Sequence, residues 1–280
     1  MIDAFTTALG GINVVALVTN IPGPIAAARL RALGATVTKI EPPSGDPLEH
    51  ASHAWYEELT DGLALRRLDL RDDAALATLE SLLHGADVLL TATRSSVLER
   101  LNLRWTALHE RHPKIVHVAL CGEAPPHDDR AGHDLTYQAH AGTIAPPAMP
   151  RALIGDMAAA ERAVTATLAA LVLRERTGRV ERIDVSIVEC ARDFAEPYRR
   201  GLTASTGPLG GALPTYAVYP AQIGYVAVAA LEPHFIERLK QLLGTQTLTR
   251  ESIGAVLIER DAASWEHDAQ RLDVPLAAVR

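Results

Sequence analysis

The stretch with the most chemical character runs from Gly132 to Asp156. It opens Gly132-His133-Asp134-Leu135-Thr136-Tyr137-Gln138, crosses a Pro-containing loop and ends Ile154-Gly155-Asp156-Met157, directly before a long alanine-rich segment. An imidazole and a carboxylate are thus delivered from two separate places along the chain, the carboxylate where a helix is expected to begin. Such a pair suits proton or acyl transfer on a small activated substrate, because one group can take a proton while the other holds or returns one.

Each residue also has a purely structural reading. Asp is a frequent N-cap, and spacing alone favours that role for Asp156. A single loop histidine usually makes a local hydrogen bond, so the case for His133 rests on the whole Gly-His-Asp segment. Asp134 either bonds near Asp156 or shapes its own loop.

The elements that must hold these groups alternate along the first two thirds of the chain. Residues 11–18 read as a buried strand, and Thr19 to Pro24 break it. Pro24 fits the first turn of a helix over 25–33, which Gly34 ends. Ala35 to Ile40 returns as a second strand, giving a β-α-β unit with the short apolar strands of a parallel sheet. The turn at 20–24 lacks the spacing of a dinucleotide or Walker phosphate loop, so a tight strand-to-helix turn is the simpler reading. Glu41 to Pro47 is a rigid loop at the carboxyl end of the second strand, where open α/β sheets place ligands. Lys39 is the basic residue nearest that edge, either a solvated strand-end lysine or a phosphate contact.

Further strands are expected at 65–70, 86–91 and 115–120, with helices from Asp72 or Asp73 to Leu83, at 97–101 and at 105–112. Arg94 falls in the loop after the strand at 86–91. A long buried helix is expected over 158–174, then a strand over 182–188 and a helix over 189–198. The fold class is therefore α/β, a Rossmann-like large domain with a mostly parallel sheet plus a small α+β domain. Composition changes at Gly201, which places the large domain at 1–200, a linker at 201–211 and the small domain at 212–280, with a hairpin near 216–230 and helices at 233–243, 249–260 and 262–271.

Composition narrows the function classes. The chain has 280 residues, 48% apolar and 22% charged, with a formal net charge of −7. These values suit a globular protein and argue against a broad nucleic-acid surface, which needs basic excess. The two cysteines, Cys121 and Cys190, form neither a metal spacing nor a disulfide framework, so no metal is expected and a reduced, cytoplasmic setting is. The N-terminus shows no leader pattern, and the longest apolar runs are too short to span a bilayer, so no membrane partner is expected.

Taken in order, the chain resembles the family III CoA-transferases, which include alpha-methylacyl-CoA racemase and the L-carnitine CoA-transferase (carnitine dehydratase) group. The resemblance is carried by Pro22-Gly23-Pro24 with Leu33-Gly34-Ala35, by Lys39-Ile40-Glu41-Pro42-Pro43 and Gly45-Asp46-Pro47, and by Ala86-Asp87-Val88-Leu89, Arg94 and Leu98-Glu99-Arg100-Leu101. It continues through Ile154-Gly155-Asp156, Arg174-Glu175-Arg176-Thr177-Gly178-Arg179 and Ile183-Asp184-Val185-Ser186. Gly132-His133-Asp134 with Tyr137, and Gly210-Gly211-Ala212 through Tyr216 and Tyr219 to Ala230-Leu231-Glu232-Pro233-His234-Phe235, point to the racemase branch.

The resemblance implies an acyl-CoA substrate bound between the domains, a homodimer of interlocked chains and no cofactor beyond the CoA of the substrate. On this reading His133 and Asp156 face each other across C2 of a 2-methylacyl thioester. Glu232 orients His133, and the N–H groups at the helix start after Gly155 help to stabilise the enolate oxygen. Glu232 also has a structural reading, a helix-start carboxylate before Pro233. Tyr137 either contacts the thioester or packs. Arg94 and Lys39 either neutralise CoA phosphates or are surface cations. His140 and His234 are read as structural or exposed.

Three departures from the family pattern stand out. Ser95-Ser96 follow Arg94 where Pro-Gly is usual, a basic residue before the third strand is replaced near Leu63, and the chain ends at Arg280, soon after Leu272-Asp273-Val274-Pro275-Leu276, where members usually continue. Three functions compete: an acyl-CoA racemase or epimerase; a CoA-transferase in which Asp156 attacks the thioester; and a non-catalytic acyl-CoA-binding protein or subunit.

Overall fold

The computed structural model describes residues 6–280; the first five, on which the reading of the N-terminus partly rests, lie outside them. The chain divides into two compact units, Met1–Phe194 and Ala195–Arg280. The break thus falls just ahead of the composition change at Gly201.

In the first unit, strand β1 (Asn13–Leu17) leads to helix α1 (Pro22–Ala32) and strand β2 (Thr36–Glu41). Two short helices, α2 (Pro47–Ala51) and α3 (His53–Thr60), precede strand β3 (Ala64–Arg67), helix α4 (Asp73–His84) and strand β4 (Val88–Thr91). Helices α5 (Ser95–Arg100) and α6 (Trp105–Arg111) follow, then strand β5 (Val116–Cys121), helices α7 (Asp134–Ala141) and α8 (Ile154–Thr177), strand β6 (Arg182–Ser186) and helix α9 (Ile187–Phe194). The six strands run in the order β3-β2-β1-β4-β5-β6, and every pairing is parallel. This is the doubly wound order, whose direction of winding reverses between β1 and β4.

Burial explains why these segments become strands. All four residues of β4 and the last four of β1 are buried, as expected of strands covered on both faces. By contrast β3 is exposed along its length and carries Arg66 and Arg67, charges that protect a sheet edge from further pairing. Helix α1 lies close against the sheet: a Cβ at Gly23 would sit 2.5 Å from Val18 Cβ and 3.3 Å from Ala92 Cβ. Pro22 and Pro24 remove two backbone donors from the start of that helix, so it is a packing turn and a poor phosphate cradle.

Lys39 departs from the sequence expectation. It is 0% exposed, and its Nζ donates to Glu41 Oε1 at 2.7 Å and to Asp46 Oδ2 at 2.6 Å. The Tyr56 hydroxyl donates to Glu41 Oε1 at 3.0 Å, and Arg67 reaches Glu41 from the exposed side at 3.4 Å. Asp46 Oδ1 also accepts the backbone N–H of Asn20 at 2.9 Å and of Leu48 at 3.0 Å. The lysine therefore fastens the loop after β2 to the loop after β1. A cation this deeply paired is not available to a phosphate, which corrects its assignment as a CoA contact.

The second unit contains helix α10 (Glu196–Arg199), the antiparallel strands β7 (Tyr216–Pro220), β8 (Tyr225–Ala229) and β9 (Leu276–Ala278) in the order β7-β8-β9, and helices α11 (Pro233–Leu243), α12 (Arg250–Leu257) and α13 (Ala262–Arg271). The hairpin and three helices match the sequence reading; β9 is an addition. Tyr219, Val226, Val228, Leu239, Ile253, Leu257 and Trp265 form its core. The stretch 201–211, read as a linker, is a loop bonded to itself: Leu209 N–H donates to Leu202 O at 2.9 Å and Gly207 N–H to Ala204 O at 2.7 Å.

Candidate active site

Asp156 lies on the third residue of α8, not at its cap. The helix begins at Ile154 with Leu153 as the flanking residue. The N-cap reading of Asp156 is therefore corrected: Leu153 holds the cap position, and no hydrogen bond of the Asp156 side chain caps the helix start. Among the described residues the Asp156 carboxylate has no hydrogen-bond partner, although the residue is only 8% exposed. Burial, and then the negative charge of Asp134, push its carboxyl up to about 7.

Asp134 supplies the missing cap from a distance in sequence. Its Oδ1 accepts the backbone N–H of Asp156 at 2.9 Å. Gly155 permits this approach, since a Cβ there would lie 3.0 Å from Asp134 Oδ1 and 3.1 Å from Ile187 Cγ2. The Asp134 carboxylate itself does not line the cavity described below, so it is a positioning group and not one that meets substrate. The expectation of free N–H groups after Gly155 needs a correction for the same reason. The Asp156 N–H is taken by Asp134, and the Met157 N–H donates to Leu153 O at 2.9 Å.

His133 flanks the start of α7 and is exposed. Its backbone N–H donates to Thr136 Oγ1 at 3.1 Å, and the Thr136 hydroxyl donates back to His133 O at 2.8 Å. This local exchange fixes where the imidazole leaves the backbone. His133 and Asp156 line one cavity of about 280 Å³, together with Tyr137, Arg94, Cys121, Asn20 and Arg130. The two residues proposed for proton transfer are thus brought to a common opening.

Tyr137 is buried, with its ring seated against two glycines. A Cβ at Gly122 would overlap the Tyr137 hydroxyl, and one at Gly132 would overlap its ring. Burial, then the Asp156 carboxylate, raise the Tyr137 phenol above its usual range, which keeps it a neutral donor. Cys121 also faces the cavity, but burial pushes its thiol up to about 12, so it is no nucleophile near neutrality.

Arg94 is exposed, lines the cavity and has no ion-pair partner among the described residues. The next two residues bind the loop that crosses over them: the Ser95 hydroxyl donates to Asp128 Oδ2, and the Ser96 N–H and hydroxyl donate to Asp129 Oδ1 at 3.1 and 2.9 Å. A second, larger cavity of about 810 Å³ opens at the carboxyl ends of β1, β2 and β3, walled by Leu17, Ile40, Pro42, Leu70 and Leu101 with Arg71 and Arg100 at hand. Thr19 and Thr93 line both cavities. Arg71 and Arg130 had no distinguishing sequence signal, since loop arginines are common, whereas Arg100 stands in a segment that carries the family resemblance.

Glu232 belongs to the second unit. It flanks the start of α11 directly before Pro233, where its helix-start reading puts it, with its side chain exposed and making no cap hydrogen bond.

The family model for CoA-transferase family III matches residues 9–280. This chain belongs to CoA-transferase family III. Within the family it is 30% identical to human alpha-methylacyl-CoA racemase over 258 residues, which is 86% of this chain and 66% of the racemase. It is 29% identical to succinyl-CoA–D-citramalate CoA-transferase of Chloroflexus aurantiacus, over 96% of this chain and 72% of that protein. The chain thus spans about two thirds of the length of these relatives. The crystal structure of Rv3272 from Mycobacterium tuberculosis has the same fold, with a TM-score of 0.84 at 25% identity, covering 97% of this chain and 82% of that one. No helix among the described residues is long and apolar enough to cross a membrane.

Proposed function

We propose that this family III member is an acyl-CoA racemase or epimerase acting at C2 of a 2-methylacyl-CoA. The observation that carries the reading is the shared cavity of His133 and Asp156, with Asp156 held buried, unpartnered and raised to about 7. A carboxyl poised there can be either acid or base near neutrality, as a reversible proton transfer requires.

In one direction the Asp156 carboxylate takes the C2 proton and the C2–H electron pair moves into the enolate. The His133 imidazolium then returns a proton to the opposite face. In the other direction neutral His133 takes the proton and the Asp156 carboxyl gives one back. Tyr137, a neutral phenol beside Asp156, is the side-chain donor best suited to the thioester end, and one well-placed donor to an enolate oxygen contributes about 3–4 kcal/mol. The nucleotide end of the substrate is assigned to the larger cavity at the sheet's winding reversal, with Arg94 between the two ends. The protein acts as a homodimer of interlocked chains.

The alternative within the family is CoA transfer, with Asp156 as the nucleophile forming an anhydride and then an aspartyl thioester. One relative of each activity at 29–30% identity gives both readings standing. Incubation with a 2-methylacyl-CoA in heavy water, with and without a carboxylic acid acceptor, separates them. Deuterium at C2 without acyl exchange is expected. CoA on the acceptor, with Asp156 trapped by hydroxylamine, would replace racemisation by transfer, and binding without either would leave an acyl-CoA-binding protein.

A further inference from the structure

Gln138 is 0% exposed and sits one helical turn after Asp134 on α7. Its Nε2 donates to Asp134 Oδ2 at 2.5 Å and to Ala152 O at 2.7 Å, while its Oε1 accepts the Thr143 hydroxyl at 3.1 Å. All of these bonds fix one orientation of the amide. Turned over, its oxygen would face two acceptors, the Asp134 carboxylate and the Ala152 carbonyl. Asp134 in turn accepts at both oxygens, from Gln138 on one side and from the Asp156 backbone on the other.

We propose that Gln138 is a positioning residue for Asp156, acting through Asp134: its amide fixes the Asp134 carboxylate against the first turn of α8 and ties both to the loop at Ala152. The inference deepens the role given to Asp156 above and rests on it. Gln138 does not line the cavity. It acts by holding a negative charge at a set place beside a carboxyl that must gain and lose a proton. Without the amide, Asp134 is free to swing off the α8 side, and its charge then presses less on Asp156.

Asp134 and Tyr137 from α7 interact with Asp156, and the other titratable groups lining the same cavity are Cys121 from the end of β5, His133, Arg94, Asp128 and Arg130. None but Asp134 is bonded to Gln138.

The test uses the full chain without substrate, labelled with ¹³C at the aspartate side-chain carboxyls. The Asp156 resonance, assigned by its loss in Asp156→Asn, is followed through a pH titration. Gln138→Met, close in length and shape, is expected to lower the Asp156 midpoint from about 7 by about one pH unit, a tenfold change in proton affinity. An unchanged midpoint in a folded Gln138→Met protein overturns the proposal. A measurement on the wild-type protein stands if that variant does not fold: the Gln138 side-chain amide signals are expected to shift with the same midpoint as Asp156. Amide signals that ignore the Asp156 titration overturn it equally. Because no turnover is read, a failure here is distinct from a failure of the racemase reading, which the heavy-water experiment decides.

Discussion

Asp134 and Asp156 are joined through a backbone bond, 2.9 Å from Asp134 Oδ1 to the Asp156 N–H, while the Asp156 carboxylate is left without a partner. One acid secures the helix start and thereby holds its charge beside the other. The arrangement costs stability, because a buried carboxylate next to a like charge is unfavourable when ionised.

That cost has a pH signature. The folded protein holds the Asp156 proton more tightly than the unfolded chain does, so the wild type loses stability as pH rises from 3.8 towards about 7. Asp156→Asn carries no charge and escapes this loss. Its Tm is expected to exceed the wild-type value above pH 7, by an amount equivalent to at most about 4 kcal/mol. The difference should shrink as pH falls from about 7 towards 3.8. Thermal unfolding of both proteins at several pH values checks it; a constant difference would mean that Asp156 is not raised.

Two-base transfer makes a further distinction. In the proposed racemisation each base faces one side of C2, so removing one leaves the other able to exchange the proton on its own side. Asp156→Asn and His133→Gln should both lose interconversion of the 2-methyl epimers, with kcat down by about 10² to 10⁴-fold. Each should still incorporate deuterium from opposite single epimers in heavy water, read by mass spectrometry. Exchange of the same epimer by both variants would place the two groups on one face.

Tyr137 is held by glycines on either side, and overpacking there should be legible as a coupled pair. Gly122→Ala forces the phenol to move and is expected to destabilise by about 1–3 kcal/mol in chemical denaturation. Adding Tyr137→Phe removes the oxygen that the new methyl meets first and should recover part of that loss. Strict additivity of the two changes would show that the hydroxyl does not occupy this place.

Lys39 and Arg94 should respond in opposite ways. Lys39→Met strands two buried carboxylates and is expected to cost about 3–5 kcal/mol in urea unfolding, with the affinity of the folded fraction for a CoA ester unchanged. Arg94→Gln should leave stability nearly untouched and weaken CoA-ester binding by about tenfold at low salt, less as salt rises. A stable Lys39→Met protein with weakened CoA binding would restore the lysine to the site.

Sequence periodicity was enough to place all six parallel strands and the long helix α8, because short strands between turn signals and a 24-residue helix write themselves directly into short apolar runs and alanine spacing. It also marked His133 and Asp156, since few residue types perform proton transfer and these two stood in the segments that carry the family resemblance. It did not show α7, whose eight residues mix polar, β-branched and small side chains with little amphipathic contrast. Without that helix, the one-turn spacing of Asp134 and Gln138 had no meaning.

Nor did local sequence decide the fate of individual charges. Lys39, Arg94 and Asp156 all stand near loop or element ends, yet one is sealed between two carboxylates, one is exposed and unpaired, and one is buried without a partner. The chain itself determined which residue types were present and which segments would form the sheet. Tertiary packing alone decided which carboxylate meets a lysine and which meets another carboxylate, because burial and the distance between charges, both set by contacts remote in sequence, govern how each group ionises.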